Sequence, residues 1–400
     1  MSLIDKLFEK NSWERFFRYK SGIRCSKRFT RELRAFIDSE AYLTYEKEIR
    51  SCGGLPLPAK SVISKMSSQK KRTVYKYPYD FNMVLKLLTY LTLRKYDQIY
   101  TPCLYSFRPG ICAKDAIASI TRNRDLHSLY SYKVDVSDYF NSIPVDKICA
   151  VLDDTVKDDE ELLRFMKTLL TEEKVMDGSD IITEKKGIMA GTPIASFYAD
   201  IYLKDLDEWF FKRGILYARY SDDIIVFAKD EDEINVYRKV ILDHLDAKDL
   251  TVNPDKESFS RPGDGFCFLG IEVKDGQIDI APASVKKLKQ KMRRKARALD
   301  RWRRREGLDG TKAAAAFIRI FNHKLLEENE DSDLTWSLWF FPVITTPKSL
   351  HEVDLYSQEL LRFLISGTHT KSRFNVRYDD LKALGYKSLV NEYYKHHERN

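Results

Sequence analysis

The feature that most constrains this chain is a pair of adjacent acids, Asp222 and Asp223, between two β-rich runs. The flanking runs, Leu216–Tyr220 and Ile224–Phe227, are rich in aromatic and β-branched residues, and Ser221 completes a polar turn between them. Adjacent carboxylates repel each other, so selection for stability alone does not favour such a tip. The pattern predicts a tight β-hairpin that presents two carboxylates.

A third acid, Asp135, ends another β-rich run, and Ser137–Phe140 after it is typical of a turn or helix start. Burying an acid at the end of a strand is unfavourable unless the acid is paired or binds a metal. If this strand and the hairpin are neighbours in one sheet, the acids converge into an oxygen-ligand site suited to Mg²⁺. Two such ions about 3.5–4 Å apart would stabilise the attacking and leaving oxygens of phosphoryl transfer.

Each half of this constellation also has a structural explanation. Asp-Asp pairs are common in turns, and an aspartate at the end of a strand often caps the next helix. Their occurrence together, in order and with the motifs described below, favours the metal site.

A strongly basic segment lies between residues 284 and 305. The chain carries a net charge of +8, whereas this segment has twelve Lys or Arg and one acid, so the remaining residues sum to about −3. Apolar residues recur in it every three or four positions: Val285, Leu288, Met292, Ala296, Leu299 and Trp302. This period predicts a helix with one buried stripe and a cationic face, which is either a solvated surface or a contact for phosphates. The nucleic-acid contacts that we predict on it are Lys287, Lys291, Arg294 and Arg301.

Composition narrows the class of protein further. With 400 residues and 43% hydrophobic content the chain can form a sizeable core, and it has no apolar run near the roughly 20 residues of a membrane span. Its first residues lack the layout of a signal peptide, so we predict a cytoplasmic protein without membrane contact. Six cysteines without a Cys-x-x-Cys pair predict reduced thiols, with neither a disulfide framework nor a zinc module.

The secondary structure predicted from the sequence differs between three parts of the chain. Residues 1–50 have helical patterns, 71–280 mix helical periods with short β-rich runs, and helical patterns dominate after 284. We therefore predict an α+β fold with its main boundary near residue 280.

The order of these motifs resembles the reverse transcriptases over roughly residues 60–280. Tyr220–Asp223 is similar to the catalytic hairpin of that family, and Lys133–Phe140 is similar to its first aspartate motif. The further matching segments are Lys70–Val74 (basic fingers strand), Ser106–Gly110 (a segment of bacterial and intron-type members), Gly187–Asp207 (the glycine-containing loop and helix beneath the nucleotide), Leu250–Lys256 and Phe268–Ile271.

The resemblance implies a right-hand polymerase, with fingers and palm, a helical thumb and a C-terminal helical extension. It divides the chain into an N-terminal helical region and fingers at 1–130, a palm with fingers elements at 131–280, and a basic helical thumb with its extension at 281–400.

The resemblance also assigns roles at the metal site. Asp135 and Asp222 would be the principal ligands of two Mg²⁺ ions (or Mn²⁺), with Asp223 nearby and the carbonyl of Val136 as a further ligand. Lys256 would donate a proton to departing pyrophosphate, or is an ordinary surface lysine.

Other residues would contact the nucleotide and the template. Lys71 and Arg72 would hold the triphosphate, and Gly191 would lie at the nucleotide. Phe140 matches a bulky gate against the ribose 2′-hydroxyl and would favour deoxynucleotides. Arg108 would contact the template backbone, or is merely an exposed loop residue.

One departure from the family pattern concerns Met189-Ala190-Gly191, where familiar members have Pro-Gln-Gly. Ala190 replaces the glutamine that packs near the template–nucleotide pair. The pattern is closer to divergent bacterial reverse transcriptases of phage defence, related to retron and group II intron enzymes, and Tyr378–Tyr394 also resembles a tail of such chains.

The segment 311–400 exceeds a minimal thumb and carries many aromatic residues, among them Trp336 and Trp339. It is either a small helical core or a platform for a structured RNA, and a third hypothesis makes a C-terminal tyrosine the primer.

The leading hypothesis is RNA-directed DNA synthesis from deoxynucleoside triphosphates on a dedicated noncoding RNA in antiviral defence. The chain shows no nuclease acid cluster outside the palm, so cleavage of the DNA product would need a protein partner. The alternatives are an untemplated or protein-primed DNA polymerase and a catalytically inactive RNA-binding scaffold or maturase.

Overall fold

The computed structural model describes residues 1–23, 25–64, 71–326 and 336–398. The chain divides into two compact units: the first contains Met1–Ile23 and Arg28–Pro262, and the second contains Arg24–Lys27 and Gly263–Asn400. The division into fingers, palm and thumb expected from the sequence stays a prediction. Among the described helices, none combines the length and the apolar surface that crossing a membrane requires.

Helices make up most of the first unit. Their bounds are α1 (Leu3–Lys6), α2 (Lys10–Gly22), α3 (Lys27–Asp38), α4 (Glu46–Ser51), α5 (Tyr79–Lys95), α6 (Ala113–Thr121), α7 (Tyr139–Ser142), α8 (Val145–Thr155), α9 (Glu160–Thr171), α10 (Ala195–Tyr202), α11 (Lys204–Phe211) and α12 (Glu231–Ala247). Short 3-10 helices span Ala41–Tyr45, Asp97–Ile99, Leu126–Ser128 and Pro254–Lys256. The helical character expected for residues 1–50 is confirmed, and buried Trp13 anchors this region by donating to the Leu7 carbonyl over 2.7 Å.

The strands of the first unit form two sheets. Their bounds are β1 (Ala59–Ser64), β2 (Lys71–Lys76), β3 (Tyr130–Asp135), β4 (Lys174–Asp177), β5 (Asp180–Thr183), β6 (Tyr217–Tyr220), β7 (Asp223–Ala228) and β8 (Ser258–Ser260). One sheet has the order β2-β1-β4-β5, and the other has the order β6-β7-β3-β8.

In the second of these sheets all neighbouring strands are antiparallel. Helix α12 packs against β3 and β7. The buried side chains of Val134, Ile224 and Val226 belong to one continuous apolar core, which also includes Phe197 of α10. This core fixes the sheet from which the three predicted acids project.

The second unit has a small sheet of order β11-β10-β9, formed by β9 (Phe266–Phe268), β10 (Ile271–Lys274) and β11 (Gln277–Ile280). Its helices are α13 (Pro282–Arg305), α14 (Gly310–Leu325), α15 (Trp336–Phe340), α16 (Lys348–Ser366), α17 (Tyr378–Ala383) and α18 (Leu389–Glu398), with a 3-10 helix at Lys371–Asn375. Helices α13, α14 and α16 pack on one another. Gly310 permits a close approach, because a Cβ there would lie 2.4 Å from the Ile365 carbonyl oxygen.

Helix α13 is the basic helix that the sequence predicts. It begins with Pro282, a residue that suits the first helical turn. The predicted stripe is buried at Val285, Met292, Ala296 and Leu299. Farther along the chain, Phe340 and Phe341 are buried, so part of the C-terminal aromatic set packs into this unit. None of the six cysteines forms a disulfide bond in the described part of the chain.

Candidate active site

Three carboxylates meet at one end of the β6-β7-β3-β8 sheet. The register of β3 and β7 places Asp135 directly opposite Asp223. Strands β6 and β7 pair up to Tyr220 and Asp223, so Ser221 and Asp222 form a two-residue turn. Ser221 has a φ of +58°, a left-handed conformation that few non-glycine residues adopt. The hairpin expected from the sequence is therefore present, and its acids lie beside the end of β3.

The three acids are largely withdrawn from water. Asp135 is only 3% exposed, and its two partners are half-buried. Burial, together with the negative charges of Asp135 and Asp223, raises the pKa of Asp222 to about 6. Burial also raises the pKa of Asp223, although the nearby ammonium of Lys133 opposes that shift. The site thus concentrates negative charge that a cation would neutralise.

Two lysines partly neutralise these acids. The Nζ of Lys256 forms an ion pair with the Oδ2 of Asp135. The Nζ of Lys133 lies 3.4 Å from the Oδ1 of Asp223. Lys133 precedes Asp135 by two residues in β3, so both side chains lie on the same face of the strand. The sequence interpretation included Lys256 and missed Lys133, although the alternation of strand faces could have indicated it.

The chain brings Lys256 to this position through the segment before it. The Asn253 amide donates to the Asp135 carbonyl over 2.8 Å, and Val252 forms an isolated β-bridge with Val136. These bonds extend β3 beyond Asp135 and deliver the 3-10 helix that carries Lys256. Val136 itself is buried, and its carbonyl as a metal ligand stays a prediction.

The donor set fits a divalent cation that is shared with substrate. Within the described ranges, no group of three or more His, Cys, Asp or Glu side chains forms a ready-made metal cage. Mg²⁺ is usually held by one or two carboxylates and completes its shell with water and substrate phosphates. Asp135, Asp222 and Asp223 suit that kind of open site, because the charges of Asp135 and Asp223 raise the pKa of Asp222 and a cation would relieve this repulsion.

A glycine-containing loop lies next to α7. Gly187 has a φ of +53°, and a Cβ there would lie 2.6 Å from the carbonyl oxygens of Phe140 and Asn141. The Ile188 amide donates to the Phe140 carbonyl over 2.9 Å. No side chain could be accommodated at Gly187 without moving the helix that carries Phe140.

The other end of this loop joins β2. Gly191 has a φ of +101°, and a Cβ there would lie 3.0 Å from the Tyr75 carbonyl oxygen. The Tyr75 amide donates to the Ala190 carbonyl over 2.7 Å. Ala190, which departs from the family pattern, is fully buried. The hydrogen bond that joins the loop to β2 is made by its backbone carbonyl.

Asn141 connects three of these segments, and the sequence interpretation missed it. Its Nδ2 donates to the Thr73 carbonyl of β2 over 3.2 Å. Its Oδ1 accepts from the Ala190 amide, also over 3.2 Å. A single side chain in α7 therefore ties the glycine-containing loop to the strand that carries Arg72.

Phe140 lies in an aromatic and cationic surrounding. The guanidinium of Arg72 lies 6.0 Å from the centre of its ring, and Phe107 meets that ring edge-on at 6.4 Å. Lys71, the preceding residue of β2, is exposed. The structure thus places Arg72 beside Phe140, and the role of both residues at a nucleotide stays a prediction. Lys70 of the same motif lies outside the described residues.

Arg108 has a different environment from the one expected. Its side chain is only 9% exposed and forms an ion pair with Asp97 at 2.9 Å. It also donates to the carbonyl of Thr101 over 2.9 Å. These bonds fix the loop around residues 101–108, so the structure gives Arg108 a role in packing, and a contact with a template stays an untested prediction.

The predicted nucleic-acid contacts of the second unit lie on one face of α13. Lys287, Lys291, Arg294 and Arg301 are exposed, and no ion pair is found for them within the described part of the chain. By contrast, Lys289 pairs with Glu352, and Arg303 and Arg304 pair with the buried Asp300.

An antiparallel sheet with carboxylates at its hairpin, covered by helices and followed by a basic helical region, defines a right-hand polymerase of the α+β class. This fold has fingers and palm, a helical thumb and a C-terminal helical extension. The chain belongs to the reverse transcriptase (RNA-dependent DNA polymerase) family, whose model matches residues 63–273. Members of this family generally use divalent metal ions.

The chain is similar to several fungal proteins. It is 29% identical over 152 residues to an uncharacterized 91 kDa protein in the cob intron of Schizosaccharomyces pombe, a match that covers 37% of this chain and 18% of that protein. Apo telomerase from Candida tropicalis has a TM-score of 0.50 at 12% identity, over 79% of this chain and 59% of that one. Telomerase from Candida albicans, in complex with a TWJ fragment of telomeric RNA, has a TM-score of 0.44 at 12% identity, over 88% of this chain and 71% of that one.

The curated relative is matched over less than a fifth of its length, and the likeness to the Candida tropicalis structure concerns the fold alone. These relatives are fungal, and the bacterial phage-defence subgroup that the sequence suggests stays a prediction.

Proposed function

We propose that this protein is an RNA-directed DNA polymerase, a nucleotidyltransferase that adds deoxynucleotides by a two-metal mechanism. The observation that carries the proposal is the register of β3 and β7, which pairs Asp135 with Asp223 and leaves Asp222 in the adjoining turn. Membership of the reverse transcriptase family supports the same activity.

The carboxylates and lysines share the work of the chemical step. Two divalent ions, Mg²⁺ or Mn²⁺, held by Asp135, Asp222 and Asp223, would stabilise the attacking 3′-oxygen and the departing phosphate oxygens. Lys133 neutralises part of the charge of Asp223. Asp135 and Asp222 would be the principal ligands, as the family resemblance implies. Lys256, held at Asp135, would donate a proton to the leaving pyrophosphate.

The surroundings of Phe140 suit selection of the nucleotide. Arg72 would hold the triphosphate through its forked guanidinium, and the exposed Lys71 would add a second positive charge. The ring of Phe140 would lie where a ribose 2′-hydroxyl would otherwise be accommodated, which favours deoxynucleotides. Asn141 and Gly191 hold the neighbouring loop in place for the nucleotide.

The exposed cations of α13 would contact the phosphates of an RNA template and its DNA product. We further propose that the template is a dedicated structured RNA and that the DNA serves antiviral defence in the cytoplasm of a bacterium. This finer proposal rests on the departure at Ala190 and on the tail at Tyr378–Tyr394, both of which resemble divergent defence-associated members.

The experiment that tests the proposal is the sequencing of nucleic acid that co-purifies with the protein, in the wild type and in Asp222→Ala/Asp223→Ala. We expect one defined RNA with both proteins, and DNA complementary to that RNA with the wild type alone. The same RNA without DNA in both samples would support an inactive scaffold and contradict the polymerase proposal.

A second candidate, untemplated addition of nucleotides, is favoured by Ala190. Its methyl group is fully buried in the loop, where familiar members have a glutamine that packs near the template–nucleotide pair. Supplying each deoxynucleotide alone separates the two activities. Templated synthesis stops at the first position that requires another nucleotide, whereas untemplated addition continues with a single one.

A further inference from the structure

A buried ion pair lies directly behind the catalytic hairpin. Arg219 in β6 and Asp207 in α11 form two parallel hydrogen bonds, from Nε to Oδ1 over 2.8 Å and from Nη2 to Oδ2 over 2.6 Å. Arg219 has no exposed surface, and Asp207 is 1% exposed. The Tyr217 hydroxyl also donates to Asp207, over 2.9 Å. The Asp207 carboxylate therefore accepts hydrogen bonds from two side chains of β6, those of Tyr217 and Arg219.

The remaining donors of Arg219 reach the turn that carries Asp222. Its Nη1 donates to the Ser221 carbonyl over 3.2 Å, and its Nη2 donates to the Asp200 carbonyl over 2.9 Å. The backbone of Arg219 is held as well, because its amide donates to the Cys103 carbonyl and its carbonyl accepts from the Tyr105 amide, each over 2.9 Å. One guanidinium thus connects the turn to two helices behind the sheet.

The turn needs such support. Ser221 has a φ of +58°, a left-handed conformation that is unfavourable for a non-glycine residue. The hydroxyl of Ser221 is buried without a hydrogen-bond partner among the described residues, so it does not hold the turn in place. The charge-assisted bond from Arg219 to the Ser221 carbonyl is a contact that can hold it.

Stability alone does not explain this ion pair. Removing two charges from water costs several kcal/mol per ion, and well-packed apolar residues of similar volume are often equally stabilising. Burial opposes the charged form of Arg219, but Asp207 outweighs it, so the pKa of the guanidinium lies well above its ordinary value. Burial raises the pKa of the neighbouring Asp200 to about 8 and also raises the pKa of Asp207, although the charge of Arg219 opposes both shifts.

We propose that Arg219, held by Asp207, is a positioning residue that fixes the Ser221–Asp222 turn and thereby aims the Asp222 carboxylate at the metal site. This inference deepens the proposed polymerase function and rests on it. Arg219 touches neither substrate nor metal in this role. Its loss should therefore change how tightly the site holds a divalent ion, and not how the protein binds a nucleic acid.

The test compares the wild type with Arg219→Met/Asp207→Leu, a pair that removes both charges while keeping similar volume. We expect the variant to fold, with kcat lowered about 10- to 100-fold, the range that a small misplacement of a reacting group produces. The Mg²⁺ concentration for half-maximal incorporation should rise about tenfold, while the KM for deoxynucleotide changes less than about threefold. Arg219→Lys, which cannot form the forked contact, serves as the second variant and should give an intermediate shift.

The control is Asp159→Asn. Asp159 is buried and accepts a hydrogen bond from the Leu3 amide over 2.8 Å, so the substitution should lower the thermal midpoint of unfolding. It lies far from the hairpin in the sequence. We expect it to leave the Mg²⁺ requirement unchanged. If Arg219→Met/Asp207→Leu folds with the kcat and the Mg²⁺ requirement of the wild type, Arg219 is not a positioning residue.

Binding of Mn²⁺ in the absence of nucleotide, followed by electron paramagnetic resonance, separates this inference from the proposed function. Asp222→Ala serves as the reference for a lost metal ligand. If both Arg219 variants bind Mn²⁺ more weakly than the wild type, the positioning role is supported, whether or not the wild type incorporates nucleotides. A wild type that binds Mn²⁺ but makes no DNA on any template would overturn the polymerase proposal alone. Unchanged Mn²⁺ binding in both variants would overturn the positioning role alone.

Discussion

Asp135 and Asp223 are paired directly across the β3–β7 ladder, so the register of the sheet itself aligns two of the three acids. Side chains alternate along a strand, and a slip of one residue would turn one carboxylate to the opposite face. Each acid has a lysine partner, Lys256 for Asp135 and Lys133 for Asp223. The two acids differ in burial, because Asp135 is only 3% exposed whereas Asp223 is half-buried.

This difference predicts unequal effects of removing the acids. Asp135→Ala should lower the rate of nucleotide incorporation by at least about 10³-fold, because it removes a principal ligand of the site. Asp223→Ala should lower the rate less, since Asp223 is the less deeply buried acid and the family resemblance places it beside the two principal ligands. The measurement is single-turnover primer extension, with the exposed Asp154→Ala as control. A rate above a tenth of the wild type for Asp135→Ala would contradict the assignment.

The raised pKa of Asp222, about 6, predicts how the stability of the metal-free protein depends on pH. Because the folded protein binds this proton more tightly than the unfolded chain, stability should fall as pH rises from about 4 to about 6, by at most about 3 kcal/mol. Asp222→Asn should match the wild type near pH 4 and exceed it above pH 6. Urea unfolding with EDTA at several pH values measures this.

Added Mg²⁺ provides the matching control for that titration. It should stabilise the wild type at pH 7.5 and have little effect on Asp222→Asn. A stability difference between the two proteins that is the same at every pH would show that Asp222 does not titrate in this way.

Lys256 offers a test of proton donation. Lys256→Gln should lower kcat about 10- to 100-fold. The decrease should be smaller than the full contribution of a general acid, because water can donate the proton in place of the lysine. Lys256→Arg should retain more activity than the glutamine variant. Lys248→Gln, which breaks the ion pair of this half-buried lysine with the exposed Asp205, is the control and should leave kcat unchanged. If Lys256→Gln behaves like Lys248→Gln, Lys256 is an ordinary surface lysine.

Phe140 should set the preference for deoxynucleotides. In Phe140→Ala, the ratio of kcat/KM for deoxynucleotides to kcat/KM for ribonucleotides should fall at least about tenfold. A single steric contact typically changes the discrimination between two substrates by about this factor. Phe107→Ala should have a smaller effect in the same direction, since Phe107 packs edge-on against the gate. Phe259→Ala, an exposed aromatic residue in β8, serves as control. An unchanged ratio in Phe140→Ala would exclude the gate.

The basic helix predicts a specific dependence on salt. Replacing Lys287, Lys291, Arg294 and Arg301 together by Gln should weaken binding of an RNA–DNA duplex, and the slope of log K against log salt should become shallower by about 3–4, near one per lost contact. Lys289→Gln is the control, because this lysine is paired with Glu352. Parallel salt curves for the fourfold variant and the wild type would argue for a solvated surface helix.

The sequence predicts those parts of the site that depend on local patterns. The Ser221–Asp222 turn and its strands follow from turn chemistry and β propensity, and α13 follows from an apolar period over many residues. The Arg219–Asp207 pair has no such signal, because its partners lie in a strand and a helix whose packing is decided by the whole core. Asn141 is equally hidden, since its bonds join segments that are far apart in the chain.

Arg108 is less exposed than its sequence context suggests. An arginine before Pro-Gly in a loop is often exposed, and the contact with a template that the resemblance implies stays a prediction. Its ion pair with Asp97 shows that a cation in a motif can serve the loop that carries it. Exposure is a property of the folded chain, and a sequence pattern around one residue does not determine it.

The strand order β6-β7-β3-β8 also has a consequence for synthesis on the ribosome. β3 is made first but lies between β7 and β8, both of which are made later. Lys256 and Asp135, which meet in the finished site, are 121 residues apart. Until β7 and β8 emerge, both edges of β3 lack their partners and are exposed to pairing with other chains. Premature termination before β8 would therefore leave a fragment in which one edge of β3 is unpaired and prone to aggregation.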